Sequence, residues 1–330
     1  MGAWWAARSG KGRVGAAVVI LAVAAALVAG VPACEGREKS PARGEVRVLH
    51  YNLCGAAAVC PWNAGGSGSG TSVERVVSEA SAFEPDVITL NEVCETQYRA
   101  LLELLENAGR RMDGTYASSQ DNVPNCGPTG AFGTAVLSRG PIVSEEPDYR
   151  PFAHSGDEMY TNAGRTVPVR RGILCAPTRV GRKPLLACTA HTYAKAPEQL
   201  REIRDRLAEG SVPRKVPVLL AGDLNLQPNE PALGFLYAHA SGDGDKPGGR
   251  FREGDETDRA WFSQGSTGGV VCTAGEPDRC RNGEPTADDR KIDYVFADTR
   301  HFSGGHSDAK MFEESDHAML TAVFSLAPDA

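Results

Sequence analysis

The chain has 330 residues, of which 41% are hydrophobic and 23% charged. That is enough chain to bury an ample core, and the composition excludes both a disordered chain and a multi-span membrane protein. With 42 acids against 35 bases the net charge is -7, so charge by itself does not mark a nucleic-acid binder.

The first predicted element is a leader over residues 1–33. Arg8, Lys11 and Arg13 precede an apolar run from Val14 to Val31. A basic start followed by a hydrophobic stretch is the pattern of a secretory signal. The run is near the length that spans a bilayer, so an uncleaved anchor is the alternative. The ending Val31-Pro32-Ala33 before Cys34 suits a signal peptidase. It also resembles the lipobox of bacterial lipoproteins, in which the cysteine after the cut carries lipid. Pro32 departs from the small residue usual there. The expectation is a secreted protein, tethered through Cys34 to the outer face of the membrane. Without the three leader bases, 32 bases face 42 acids, a net of -10.

Residues 34–44 are polar and lack periodicity, which suits a tether. The segment 46–51 alternates as a strand. After a Gly/Ser loop, Thr71 and Glu74 form a capping box ahead of an apolar helix face of Val73, Val76, Val77 and Ala80. A buried strand is expected over 86–90, then a helix carrying Tyr98, Leu101, Leu102 and Leu105 and stopping near Gly109. Residues 118–130 read as a turn-rich loop, 131–138 as a strand and 145–163 as irregular. Two runs, 167–176 and 185–192, flank a turn and predict a hairpin. Pro197 opens a helix that Gly210 closes. Residues 216–221 form a strand, and 241–259 form a mobile Gly- and charge-rich loop. Strands 291–297 and 319–324 complete the list. Interleaved strands and helices, with strands dominating later, predict a layered α/β domain built around sheets.

Nine cysteines are present. With Cys34 lipidated, eight remain, an even number that favours disulfides in an exported protein. No Cys-x-x-Cys pair supports a zinc site. Local context pairs Cys54 with Cys60 across a short loop, Cys272 with Cys280 across another, and Cys175 with Cys188 across the hairpin. Cys94 and Cys126 are then left for each other.

Polar groups gather where the apolar runs stop: Asn52, Glu92, His191, Asp223, Asn225, Asp293, Asp316 and His317. Any one alone reads as a cap or turn, but together they form a chemical set. Carboxylates such as Glu92 and Asp316 are the oxygen donors a hard divalent cation takes. Histidine supplies a base for water near neutral pH, and a carboxylate bonded to it orients the ring. His50 alternates with the first of these groups and reads as core or sheet surface.

These residues lie in ordered motifs: Tyr51-Asn52-Leu53, Leu90-Asn91-Glu92-Val93, 133–139, Ala190-His191-Thr192, Gly222-Asp223-Leu224-Asn225, Ile292-Asp293-Tyr294-Val295 and Ser315-Asp316-His317. The set resembles the endonuclease/exonuclease/phosphatase superfamily, which includes the deoxyribonuclease I-like enzymes, over residues 45–325. The resemblance implies a four-layer α/β sandwich, two mixed β-sheets packed face to face with helices outside, as one catalytic domain over 45–330. It implies Mg²⁺, or Mn²⁺ or Ca²⁺, held by Glu92 with Asn52 beside it and Asp316 as a further ligand. It implies that His317, oriented by Asp293, activates water, and that Asp223 and Asn225 hold the phosphate or nucleophile. His191 would contact a phosphate oxygen or protonate the leaving group. Arg170 or Arg171 would contact the phosphate. Asn91 stands where many members have Gln, and no acidic partner for His191 is evident.

The substrate implied is a phosphodiester, with nucleic acid favoured, and the protein is expected to act as a monomer. Residues 165–215 hold twelve bases and four acids, a segment that could meet a polyanion; the alternative is that these bases occupy several faces, those of the helix after Pro197 facing solvent because Leu200, Ile203 and Leu207 take the core side. A sphingomyelinase or phospholipase C and an inactive binding module on the same fold are the alternatives. The first lacks the exposed aromatic hairpin it would need, and retention of every motif argues against the second.

Overall fold

The computed structural model describes residues 44–56, 71–144, 146–154, 157–162, 165–208, 215–228, 230–238, 249–255 and 283–327. All lie within the compact unit Ser40–Ala330. The expected leader and tether, Cys34, Cys60, Cys272, Cys280 and most of the 241–259 loop lie outside them. No helix among the described residues is long and apolar enough to cross a membrane.

Two six-stranded mixed sheets form the molecule. The first contains β1 (Glu45–Asn52), β2 (Val87–Cys94), β3 (Asp113–Gln120), β4 (Phe132–Ser138), β13 (Phe302–Met311) and β14 (Ala318–Leu326). Their order is β13-β14-β1-β2-β4-β3. The second contains β5 (Asp148–Pro151), β8 (Gly172–Val180), β9 (Lys183–His191), β10 (Val218–Asp223), β11 (Phe251–Glu253) and β12 (Asp293–Asp298). Their order is β11-β12-β10-β9-β8-β5. A separate two-stranded ribbon joins β6 (Met159–Asn162) and β7 (Arg165–Pro168). Each large sheet has one parallel pair, β1 with β2 and β9 with β10, among antiparallel neighbours.

The layers follow from period-two alternation, which sends successive side chains to opposite faces. Val46, Val48, Val87, Val136, Leu174, Leu185, Leu219, Val295 and Leu320 share the core between the sheets. The other face of the first sheet packs Leu49, Tyr51, Ile88 and Leu90 against α1 (Thr71–Phe83) and α2 (Glu95–Asn107). The other face of the second packs Leu220, Tyr294 and Phe296 with Leu200 and Ile203 of α3 (Glu198–Arg206) and with Leu207 just beyond it. The result is helices, sheet, sheet, helix, the four layers expected.

Several elements differ from the sequence expectation. Residues 118–120 continue strand β3, and Pro124–Thr129 is a 3₁₀ turn. Strands β5 and β6 lie in the segment expected to be irregular. The first hairpin strand starts at Gly172, because 165–168 pair with β6 instead. Phe251–Glu253, expected within a mobile loop, pairs with β12. The edge strand β13 was not expected: few of its side chains are apolar and most are not buried.

Cys94–Cys126 and Cys175–Cys188 are disulfide-bonded. Cys175 and Cys188 face each other in the β8–β9 ladder. Cys54 is also disulfide-bonded.

Candidate active site

The inward face of the central strands is apolar through most of the sandwich and turns polar at one rim. On β1 the series runs Val46, Val48, His50, Asn52. On β2 it runs Val87, Thr89, Asn91. On β9 it is Leu185, Ala187, Thr189, His191, and on β10 Leu219, Ala221, Asp223. Register does the rest: Asp223 pairs with His191 on one side and with Asp293 on the other, while Asn52 pairs with Asn91. A Cβ at Gly222 would lie 1.9 Å from the Ala190 carbonyl oxygen, so glycine is needed before Asp223.

His317 reaches the rim from the start of β14. Ser315 Oγ donates to the Asn52 carbonyl at 2.7 Å and accepts from the His317 N–H at 3.1 Å. His317 Nδ1 then donates to Asp293 Oδ2 at 2.8 Å. Burial opposes the charged ring, but Asp293, Asp223 and Asp316 overcome it and push the imidazole up to about 10. Burial works against the Asp293 carboxylate as well, yet His317 and His50 hold it well below the usual range.

Asp223 is the hub. Its Oδ1 accepts from the Asn225 N–H at 2.9 Å and its Oδ2 from Asn52 Nδ2 at 3.1 Å. Oδ2 lies 3.3 Å from His191 Nε2 and 3.8 Å from His317 Nε2. Burial and Asp293 push this carboxyl up, while His191 and His317 bring it net below its ordinary value. Asn225 adopts φ 53° and donates its side-chain amide to the Thr192 carbonyl at 3.0 Å.

Glu92 is positioned differently. The β2–β4 ladder breaks between Leu90 and Val93, and Glu92 sits in that break at φ 52°. A left-handed backbone at a non-glycine residue in a strand is costly and is held by its surroundings. Here the Gly55 N–H donates to the Glu92 carbonyl at 2.7 Å. Glu92 Oε1 lies 3.8 Å from His191 Nε2. Asp316 is exposed, and partial burial of its carboxyl, with Glu92 and Asp223 nearby, pushes it up against the pull of His317.

Asp223, Asp293 and His317 bring ligand-type atoms within 4.8 Å of one another. Those atoms are already engaged with each other and with Asn52. Glu92 and Asp316 add two carboxylates beside them. Four carboxylates at one rim meet three histidines and one arginine that is itself paired, a donor set and charge of the kind a divalent cation takes.

Of the two candidate arginines, Arg171 is the one brought to the cluster. Its Nη1 meets His191 Nε2, and its Nε donates to Glu158 Oε2 at 2.7 Å. Arg170 is exposed, and its carbonyl accepts from the Tyr149 hydroxyl at 2.9 Å. The acids beside His191 are the site's own Asp223 and Glu92.

Two residues have site contacts that the sequence reading did not assign. His50, read as core or sheet surface from its alternation with Asn52, is buried, with Nδ1 2.9 Å from Thr89 Oγ1 and Nε2 3.5 Å from Asp293 Oδ1, so Asp293 lies between two imidazoles. Asn91 ties the two sheets together. Its Nδ2 donates to Thr134 Oγ1 at 2.9 Å and Thr189 Oγ1 at 3.2 Å, and its Oδ1 accepts from the Asp223 N–H at 2.9 Å.

Among the described residues, the basic segment does not form one surface at this rim. Gly172 and His191 mark the rim end of the β8–β9 hairpin, whereas Arg179, Arg182 and Lys183 sit at the turn end. Arg206 pairs with Asp148, and Arg201 and Arg204 lie over Phe235.

A family model described as the Endonuclease/Exonuclease/phosphatase family matches residues 50–317. Solved structures share the fold. An endonuclease/exonuclease/phosphatase from Beutenbergia cavernae is 22% identical with a TM-score of 0.54, covering 86% of this chain and 72% of its own. The human Nocturnin catalytic domain, with a bound sulfate, is 14% identical with a TM-score of 0.53 and coverages of 87% and 96%. A mannosyl-6-phosphatase from Bacteroides thetaiotaomicron is 14% identical with a TM-score of 0.53 and coverages of 86% and 99%. No curated protein matches the sequence significantly.

Proposed function

Because the chain belongs to the Endonuclease/Exonuclease/phosphatase family, we propose that it is an exported, Mg²⁺-dependent phosphodiesterase that cleaves nucleic acid by direct attack of water. The observation that carries this reading is the convergence of Asn52, Glu92, His191, Asp223, Asp293 and His317 on one rim. No side chain need act as nucleophile. The water oxygen bonds to phosphorus as the ester P–O bond breaks.

In this reading the water's proton passes to the ionised Asp223 carboxylate, because His317, pushed up to about 10 and 3.8 Å away, already carries its own proton. Asp293 holds the His317 ring in place. His191 and Arg171 face the phosphoryl oxygens, and His191 delivers a proton to the leaving oxygen. Asn52 and Asn225 fix the Asp223 carboxylate through both of its oxygens. A bound divalent cation would neutralise charge growing on the phosphoryl group. Export, with residues 1–33 as signal, 34–44 as tether and Cys34 lipidated, completes the proposal. The disulfides Cys94–Cys126 and Cys175–Cys188 support it, because such bonds persist in oxidising compartments.

The test is a substrate panel with the purified chain, in Mg²⁺ and in EDTA: plasmid DNA, single-stranded DNA, RNA, sphingomyelin and bis(p-nitrophenyl) phosphate. Metal-dependent cleavage of nucleic acid, abolished in His317→Ala and Glu92→Ala, is expected. Turnover of sphingomyelin alone would move the substrate to lipid. Binding without turnover of any ester would make the domain a binding module. Full activity in both variants would mean that the site is misassigned.

A further inference from the structure

A cavity of about 210 Å³ opens beside the cluster, between the rims of the two sheets. One wall is Glu92, Arg171 and His191. The others are largely apolar: Val123, Phe132, Tyr149 and Val169. Asp293 and His317 do not line it. The Tyr149 ring is locked into its wall: its hydroxyl donates to the Arg170 carbonyl at 2.9 Å, and a Cβ at Gly172 would meet the ring at 2.6 Å.

Gln120 completes the lining. It is 8% exposed, and its Nε2 is buried without a hydrogen-bond partner. Buried amide donors are nearly always satisfied, so an exception at the edge of a cavity calls for an acceptor from elsewhere.

We propose that this cavity is the leaving-group subsite, shaped for a single planar ring that carries a hydrogen-bond acceptor. The inference rests on the hydrolase reading above and adds the substrate class to it. Displacement at phosphorus places the attacking water and the leaving group roughly in line. Water enters beside His317 and Asp223, so the leaving group departs on the His191 side, where the cavity lies. An apolar cavity of about 150 Å³ is enough to take benzene, so this one has room for one aromatic or heteroaromatic ring. Apolar walls take the ring faces, and Gln120 Nε2 donates to the ring's acceptor. Base-paired, stacked DNA cannot place a ring there without extruding it.

The test uses the full chain with Mg²⁺ and three non-hydrolysable probes that share one anionic head: methylphosphonate, benzylphosphonate and 4-nitrobenzylphosphonate. Affinities come from calorimetry and from inhibition of bis(p-nitrophenyl) phosphate hydrolysis. Benzylphosphonate should bind about tenfold tighter than methylphosphonate, the gain from burying one ring. The nitro group should add a further gain that Gln120→Leu removes while keeping the ring gain. Val123→Phe fills the cavity and should erase the ring gain while methylphosphonate binds as before. Equal affinity for methyl- and benzylphosphonate in the unmodified chain overturns the proposal, as does a nitro gain that survives Gln120→Leu. These two measurements decide the matter even if Val123→Phe does not fold. Methylphosphonate binding with ester turnover but no ring preference sinks this inference alone. No turnover of any ester sinks the hydrolase reading and this inference with it.

Discussion

The two parallel strand pairs, one in each sheet, build the rim by different means. In the second sheet, β9 and β10 end in unbroken register, and pleat geometry alone sets His191, Asp223 and Asp293 side by side. In the first sheet, the Asn52–Asn91 pair is regular but the chain then leaves the ladder, and Glu92 is presented from a left-handed backbone in a β-bulge. The proton-handling groups thus stand on relaxed structure, and the proposed metal ligand stands on strain. A regular strand offers a side chain only two directions. Glu92 needs a third if its carboxylate is to reach past Asn91 toward His191.

Breaking either side should abolish activity. Asp293→Asn in the ladder-built half, and His317→Ala beside it, should each cut kcat by roughly 10²–10⁴-fold, since each removes or misorients an acid–base group. Glu92→Ala should match this loss and also weaken Mg²⁺ binding measured by calorimetry. Asn91→Ala should cost less, roughly ten- to a hundredfold in kcat, because Asp223 loses the partner that sets its backbone against the other sheet. The same variant should lose about 1–3 kcal/mol of stability in urea unfolding, the cost of a buried N–H without an acceptor. Unchanged kcat in Asn91→Ala would mean that the two halves are not held together through this residue.

Smaller effects sharpen the contrast. Glu92→Gly should be inactive yet more stable, by up to about 1 kcal/mol, because glycine relieves the left-handed backbone. The matching change in the ladder-built half, Asp293→Gly, should be inactive and less stable. A stability loss in Glu92→Gly would remove the argument from strain. In EDTA, the raised imidazole of His317 makes a pH-dependent contribution. Its stabilisation is fully present below about pH 6.5, the unfolded value. It is lost as pH rises through about 10. The difference in melting temperature between the unmodified chain and His317→Gln should therefore shrink over that window.

The two halves were also unequally legible. Strand cores with apolar alternation, such as β1, or with a continuous apolar run, such as β10, announced themselves, and so did the polar residues at their ends. The Cys175–Cys188 pair was readable because it sits directly across a hairpin. Edge strands were not: β3 and β13 carry mostly half-buried or exposed polar residues and gain their order from neighbours far away in sequence. For the same reason, Asn91 as the tie between the sheets could not be read locally, since its contact with Asp223 joins segments that are distant in sequence and in different sheets. The bulge at Glu92 left no mark, since no glycine signals it. The basic segment 165–215 followed the second of its two readings: among the described residues, a run in sequence becomes two ends of a hairpin and the side of a helix.

The Cys94–Cys126 bond links residues 32 apart in sequence. One end lies two residues beyond Glu92, and the other lies three residues past Val123 in the wall of the cavity. A single covalent link therefore spans the strained carboxylate and the specificity wall. Preparations of this protein will differ in quality with the redox chemistry of the host that makes them, even when the peptide chain is identical. Material matured in an oxidising compartment, or refolded with a thiol–disulfide couple, is the proper reagent for any measurement of its substrate preference.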